Sequence, residues 1–472
     1  MPGEAGRLAS GQLTTIDCVS QSLAGVGPIF SAAALGSVVA VLSGGVGSFV
    51  IVLVTVGFLG LGWTISEFAK RYSGAGTLYE YVAHSLGKRP AVLTSGIYNL
   101  SISAGVSSMA IYFGVSARAF FDTYLGISLP WWVWALAFVG ITYVVNVLGV
   151  QISVRTQLSV MGLALVPFAV LSLIVIVNGG AGGSRSLSSF NPSNAQGSIF
   201  KGVLFAILLF VGVELAAALG EETADPKRSI PRAVMTAILV VAGFYILMQW
   251  VGHVGFATVD DWAAGGYGAL ARARGHDWLA MLTELAVLLN LLAVGIGATV
   301  AITRGCFTLA RDGLLPPSLA TTNDRQIPAV ATTVVSGTIA VAILVALATY
   351  GTGPLLATDG SVVSPEKAFQ AFLVAITISG FLVCICYALV ALGALVTFAT
   401  KKPIDLIAAL LGLTTCVLGL VAQFVEGTAP TGDARWGIWL GLMGIGLCVV
   451  WIALSKRENL EKAGQHALQH TH

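Results

Sequence analysis

The chain of 472 residues is 56% hydrophobic and only 10% charged, with a mean hydropathy of +0.88. That balance excludes an ordinary soluble domain and makes lipid the solvent. The net charge of +2 gives no ground for a nucleic-acid partner.

Residues 1–15 are mildly polar, and the apolar run behind them is too long for a cleavable signal peptide, so they are expected to be a cytoplasmic N-terminal segment. No Asp, Glu, Lys or Arg occurs between Asp17 and Glu67, and this window divides in two at the turn-rich "SGGVGS" of 43–48. Charge-free windows follow from Arg89 to Arg118, Asp122 to Arg155 and Arg155 to Arg185. A Gly- and Ser-rich loop, 179–197, then leads to 198–220, which has a charge in its middle. The remaining windows are Arg232 to Asp260, 278–303, 326–350, 367–397, 405–425 and 436–455, before a polar tail at 456–472. Each holds the roughly 20 apolar residues a bilayer crossing needs. Continuous apolarity, without alternation of period two, speaks against a β-barrel. The expectation is an all-α polytopic protein of twelve transmembrane helices, whose 56 glycines suit close helix packing in lipid.

With the amino terminus placed in the cytoplasm, most of the 24 Lys and Arg fall on that side, among them Lys70, Arg71, Lys88, Arg89, Lys227, Arg228, Lys401 and Lys402. This bias, with an even number of spans, predicts two cytoplasmic termini in a cell membrane protein. The six cysteines lie in or beside apolar spans at spacings unsuited to zinc, which reads as buried thiols, and no metal or cofactor is expected. Asp17 reads as a cap of the first helix, Glu67 as the partner of a nearby cation, and His253 and Glu284 as polar groups near membrane ends.

Two spans are interrupted. The first carries Gly25, Gly27 and Pro28 within "SLAGVGPIFSA", 22–32, and the sixth carries Gly212 and Glu214 within "AILLFVGVELAAALGEE", 206–222. An unpaired peptide group in hydrocarbon costs several kcal/mol, so a break at mid-depth survives only inside protein or against a wet cavity. Glu214 at mid-membrane is by default a functional-site candidate, read as a coupling or gating residue, with a structural carboxylate hydrogen-bonded to backbone as the alternative. Paired breaks in the corresponding members of two five-helix halves point to a transporter's central site. Half-helix ends supply N–H groups and carbonyls that suit a zwitterion, and glycine lets ligand atoms approach the backbone.

The loop after the sixth span, "FVGVELAAALGEETADPKRSIPRAV" at 210–234, resembles the sixth-helix signature of the amino acid–polyamine–organocation family. "TRGCFTLARDGLLPPSLATTNDRQIPAVA", 303–331, and "SEFAKRYSGAGTLYEYVAHSLG", 66–87, resemble that family's cytoplasmic loops, in the family's order. The resemblance implies the five-plus-five inverted-repeat, leucine-transporter-like fold with discontinuous helices 1 and 6. The first repeat would be 16–178, the second 198–397, and two extra helices would fill 398–455. It also implies alternating access, an amino acid or related amine as substrate, and a proton as the candidate coupling ion of symport or exchange.

In that fold the ligand carboxylate meets N–H groups of the first break, here Val26 and Gly27. The amine lies against carbonyls near Ser22, Leu23, Ala24, Phe210 and Val211. Asn99 falls where relatives that bind guanidinium groups carry Asn, with an interhelical hydrogen bond as the alternative. Leu208 stands where arginine-type exchangers place an aromatic, which takes support from bulky guanidinium substrates. The fifth span has no Lys after Arg155, so the coupling device of some proton-linked relatives is absent, and for sodium only Thr299 stands near the right place. Arg228, Arg232 and Arg311 are expected to pair with Glu221, Glu222 and Asp312 as an inner gate. No Walker sequence, His-Glu-x-x-His or Gly-x-Ser-x-Gly occurs, so an enzyme is not expected. A channel lacks its rings of charge. A substrate sensor or scaffold on the same fold is the alternative to a carrier.

Overall fold

The computed structural model describes residues 11–72, 78–196, 199–356, 362–364, 366–425, 432–455 and 460. Most of the expected segments 1–15 and 456–472 therefore lies outside the described residues. Among the described residues, twelve helical spans are long and apolar enough to cross a membrane: Thr15–Leu42, Gly47–Ala69, Lys88–Leu125, Trp131–Leu148, Val154–Asn178, Gly202–Glu222, Pro226–Gly255, Asp277–Arg311, Ala329–Tyr350, Ala368–Thr397, Pro403–Val421 and Gly432–Leu454. They are called spans 1 to 12. A short antiparallel pair, Leu355–Leu356 with Val362–Ser364, joins spans 9 and 10.

Burial sorts the spans. The apolar windows of spans 6 and 8 are each 83% buried and that of span 1 is 72% buried, against 33% for span 11 and 22% for span 12. The interrupted helices therefore sit in the middle, while the last two spans present side chains such as Ile407, Val421, Trp436 and Leu447 outward. Span 3 packs along span 10, span 2 along span 7, and span 5 along span 8. The first half of span 1, Thr15–Val26, lies against the second half of span 6, and Pro28–Leu42 lies against the first half, Phe200–Phe210. The two broken helices thus run antiparallel and cross at their breaks.

Local chemistry starts span 1 where the sequence suggests. Thr14 is the N-cap and Asp17 completes a capping box, its carboxylate accepting the Thr14 N–H at 2.8 Å. Glu67 pairs with Lys70 at 2.5 Å and Arg71 at 2.9 Å.

Candidate functional site

Gly27 alone interrupts span 1. It takes φ 60° and ψ 62°, the left-handed region that glycine enters without the clash a Cβ brings. A Cβ there would also lie 2.3 Å from Val294 Cγ2. Pro28 opens the resumed helix, where its missing N–H is no loss. The Gly27 N–H donates to Ala24 O at 3.0 Å. The Phe30 N–H donates across to Oδ1 of Asn290, in span 8, at 2.9 Å.

Span 6 breaks differently. The helix Phe200–Phe210 ends with the Tyr245 hydroxyl donating to Leu209 O at 2.7 Å. Val211 is extended, Gly212 has φ 108°, and Val213–Glu222 continues as 3₁₀ helix over 10 residues, well beyond the usual run of about 3–4. The two breaks touch: a Cβ on Gly212 would stand 2.4 Å from Gly25 O, and one on Gly25 would stand 2.9 Å from Gly212 O. Ser22 Oγ donates to Val213 O at 2.6 Å and ties the lower halves together.

Glu214 is completely buried beside this contact. Its Oε1 accepts the Tyr98 hydroxyl of span 3 at 2.9 Å. Its Oε2 accepts the Tyr387 hydroxyl of span 10 at 2.5 Å and the Gly212 N–H at 3.1 Å. None of the salt bridges among the described residues includes it. The carboxyl therefore caps the break in span 6 and binds it to two neighbouring spans.

Between the breaks lies a cavity of about 40 Å³, room for a few waters and too small for an amino acid. Gly25, Val26, Leu208, Val211 and Gly212 line it, together with Phe30, Ile102, Val106, Met109, Leu215 and Ile376; among the described residues Ser31 and Ser379 supply its polar side chains. Of the other residues singled out in the sequence, Ser22, Ala24 and Gly27 build the break without lining the cavity, and Leu23 is half-buried against the core. Phe210 stacks on Phe58 with centroids 4.9 Å apart. Asn99 stands apart, with Nδ2 donating to Ser95 O at 2.9 Å and its amide packed on Gly305 of span 8. Thr299 is buried in span 8 outside the cavity wall.

On the face of the N-terminal segment, the Gln12 and Leu13 N–H groups donate to Glu222 O at 2.9 and 3.0 Å, and the Ala224 N–H donates to Leu13 O at 3.0 Å. Leu13, Val154, Leu219 and Val300 form an apolar cluster there. The ion pairs on this face depart from the expected trio. Arg311 binds Glu221 in bidentate fashion, at 2.7 and 3.1 Å, as expected. Glu222 instead takes Arg304, at 2.9 Å on both oxygens and almost fully buried, while Asp312 accepts the Tyr79 hydroxyl at 2.8 Å. Arg228 and Arg232 are exposed and outside the salt bridges of the described residues, because span 7 turns them outward at the helix start. On the opposite face the helix Val259–Ala273 packs inward, with Trp262 buried against Gly252 and the Tyr267 hydroxyl donating to Met248 O at 2.9 Å. Arg272 of this helix binds Glu284 at 2.6 Å, and His253 Nε2 contacts Ser188 Oγ at 3.0 Å.

Sequence reasoning missed Tyr98, Tyr387 and Asn290. Asn290 carried a readable signal, an amide in the middle of an apolar window. The tyrosines carried none, since their role depends on which spans adjoin span 6.

The family model for amino acid permeases matches residues 11–452. The chain belongs to the amino acid permease family. Over 308 residues this permease is 24% identical to the branched-chain amino acid permease BcaP of Bacillus subtilis, covering 60% of this chain and 64% of that one. It is 28% identical over 308 residues to an uncharacterized transporter of Mycobacterium tuberculosis, covering 58% of this chain and 61% of that protein. The matched part thus spans less than two thirds of either relative. Among solved structures, MhsT in complex with L-phenylalanine superposes with a TM-score of 0.57 at 14% identity, covering 94% of this chain and 99% of that one. A manganese transporter of Eremococcus coleocola superposes with a TM-score of 0.56 at 11% identity, covering 95% of each chain. The chain is a multi-pass membrane protein of this family, with the five-plus-five inverted-repeat, leucine-transporter-like fold and discontinuous spans 1 and 6.

Proposed function

We propose that this permease moves an amino acid with an uncharged, apolar side chain across the cell membrane by alternating access, with both chain termini in the cytoplasm. The observation that carries the reading is the cavity between the two breaks, whose side-chain lining among the described residues includes no charged residue. A charged substrate side chain placed there would lose its hydration with no partner to replace it. The main-chain ammonium and carboxylate are served instead by the break, with Ser22, Leu23, Ala24, Gly25, Val26, Gly27, Phe210, Val211 and Gly212 as the binding backbone and Leu208 in the side-chain wall. The name of the Bacillus subtilis relative, a branched-chain amino acid permease, supports the same class.

The cavity is too small for such a ligand, and Gly25 and Gly212 are in backbone contact. Loading therefore requires the two broken helices to part, which links occupancy to movement of span 6 and so to Glu214 as the gating residue. Counterflow in proteoliposomes tests the reading. Preloaded L-leucine should drive uptake of labelled L-leucine, L-isoleucine and L-valine compete, and L-lysine and L-glutamate fail to. Saturation and counterflow together separate a carrier from a channel. Binding without any flux would favour a sensor on the same fold. Uptake measured with an imposed proton gradient, against exchange without one, separates symport from exchange.

A further inference from the structure

Asn290 lies midway along span 8 and is fully buried. Its orientation is set by its partner. The Phe30 N–H is a donor, so the atom it meets at 2.9 Å must be the amide oxygen. The other end of the amide, Nδ2, carries two N–H donors and has no hydrogen-bond partner among the described residues. Native structures leave few buried donors in that condition without a reason. The amide stands at the break itself: its oxygen is 3.3 Å from the point a Gly27 Cβ would occupy. This is also the amino-terminal end of the 15-residue helix Pro28–Leu42, where the helix dipole favours an anion.

We propose that Asn290 Nδ2 is a ligand-binding donor that receives the α-carboxylate of the transported amino acid. The proposal rests on the reading of the permease as an amino acid carrier. One amide then serves two partners, its oxygen fixing the Phe30 N–H and its nitrogen left to donate to the substrate anion once the breaks part, since Asn290 stands outside the cavity wall. A neutral amide at this position also explains how span 8 contributes to anion binding without a buried cation. Recognition of the carboxylate, rather than of the ammonium or the side chain, is what Asn290 adds.

The test uses purified full-length protein, L-leucine, and 3-methylbutylamine, which has the same ammonium and side chain but no carboxylate. Asn290→Asp keeps the shape and the acceptor for Phe30, and replaces the donor by a negative group. It should weaken L-leucine binding by about tenfold to a hundredfold, the range for one hydrogen bond to a charged group. Binding of 3-methylbutylamine should stay within about twofold of the wild-type value. Lowering the pH protonates the introduced carboxyl, restores an O–H donor and should recover part of the L-leucine affinity, a response that a purely structural cap would not give. Asn290→Ser, which has a shorter donor, controls for folding by its melting temperature. Unchanged L-leucine binding in the Asp variant overturns the proposal, as does an equal loss for both ligands. If the wild-type protein binds neither L-leucine nor any other amino acid, the carrier reading falls, and the proposal with it.

Discussion

Removing the Glu214 carboxyl should unfasten the break of span 6. Three donors converge on it: the Tyr98 hydroxyl, the Tyr387 hydroxyl and the Gly212 N–H. In Glu214→Ala all three lose their acceptor inside a fully buried site. At about 1–3 kcal/mol for each unsatisfied buried donor, the loss is roughly 3–9 kcal/mol, reduced by rotation of the two hydroxyls and by relief of the cost of burying the acid. Glu214→Gln behaves differently. Its amide oxygen can take the place of Oε2 and keep both Gly212 and Tyr387, while the nitrogen faces Tyr98, whose hydroxyl turns to accept. The Gln variant should therefore stay within about 1 kcal/mol of wild type. Thermal melting of detergent-purified protein, read with monodispersity, compares the three forms. A Glu214→Ala protein that melts with the wild type would refute the view that this carboxyl organises the break; so would a Gln variant that falls as far as Ala. If the same carboxyl takes part in coupling, the Gln variant binds substrate but loses much of the pH dependence of proteoliposome uptake between about pH 5 and pH 8. An unchanged rate and profile would leave exchange without proton movement.

Gly27→Leu should insert in the membrane but lose substrate binding, since it adds a side chain at φ 60° and 2.3 Å from Val294; equal loss of monodispersity would assign Gly27 to packing alone. Arg304→Met strands Glu222, whose partner is almost fully buried, and should cost about 3–5 kcal/mol in melting experiments. Adding Glu222→Leu should recover most of it, and failure to recover would deny the pair its isolation. Leu208→Ala removes a wall residue that packs on Gly380, so counterflow should shift toward larger side chains such as L-phenylalanine; unchanged selectivity would place the side-chain pocket elsewhere. Single cysteines at positions 3 and 465 should resist impermeant labelling from outside intact cells, and labelling of either would overturn the cytoplasmic assignment of the termini.

The sequence alone determined the membrane class, the number of spans and the interruption of spans 1 and 6. Each depends on local composition: the length of apolar windows, and glycines where only glycine tolerates the backbone. It also singled out Gly25, Gly212 and Glu214, because a break or an acid in hydrocarbon is costly wherever the rest of the chain lies. It could not say that Gly25 and Gly212 touch each other, or that Glu214 is held by Tyr98 and Tyr387, since those contacts join residues far apart in the chain. The ion pairs show the same division. Charge near the span ends was legible, but the choice of Arg304 over Arg228 or Arg232 for Glu222 was made by which face of spans 7 and 8 turns inward. Asn290 lies between the two cases, visible as a mid-span amide but given its meaning only by packing, which brings its oxygen to Phe30 and leaves its nitrogen without a hydrogen-bond partner among the described residues.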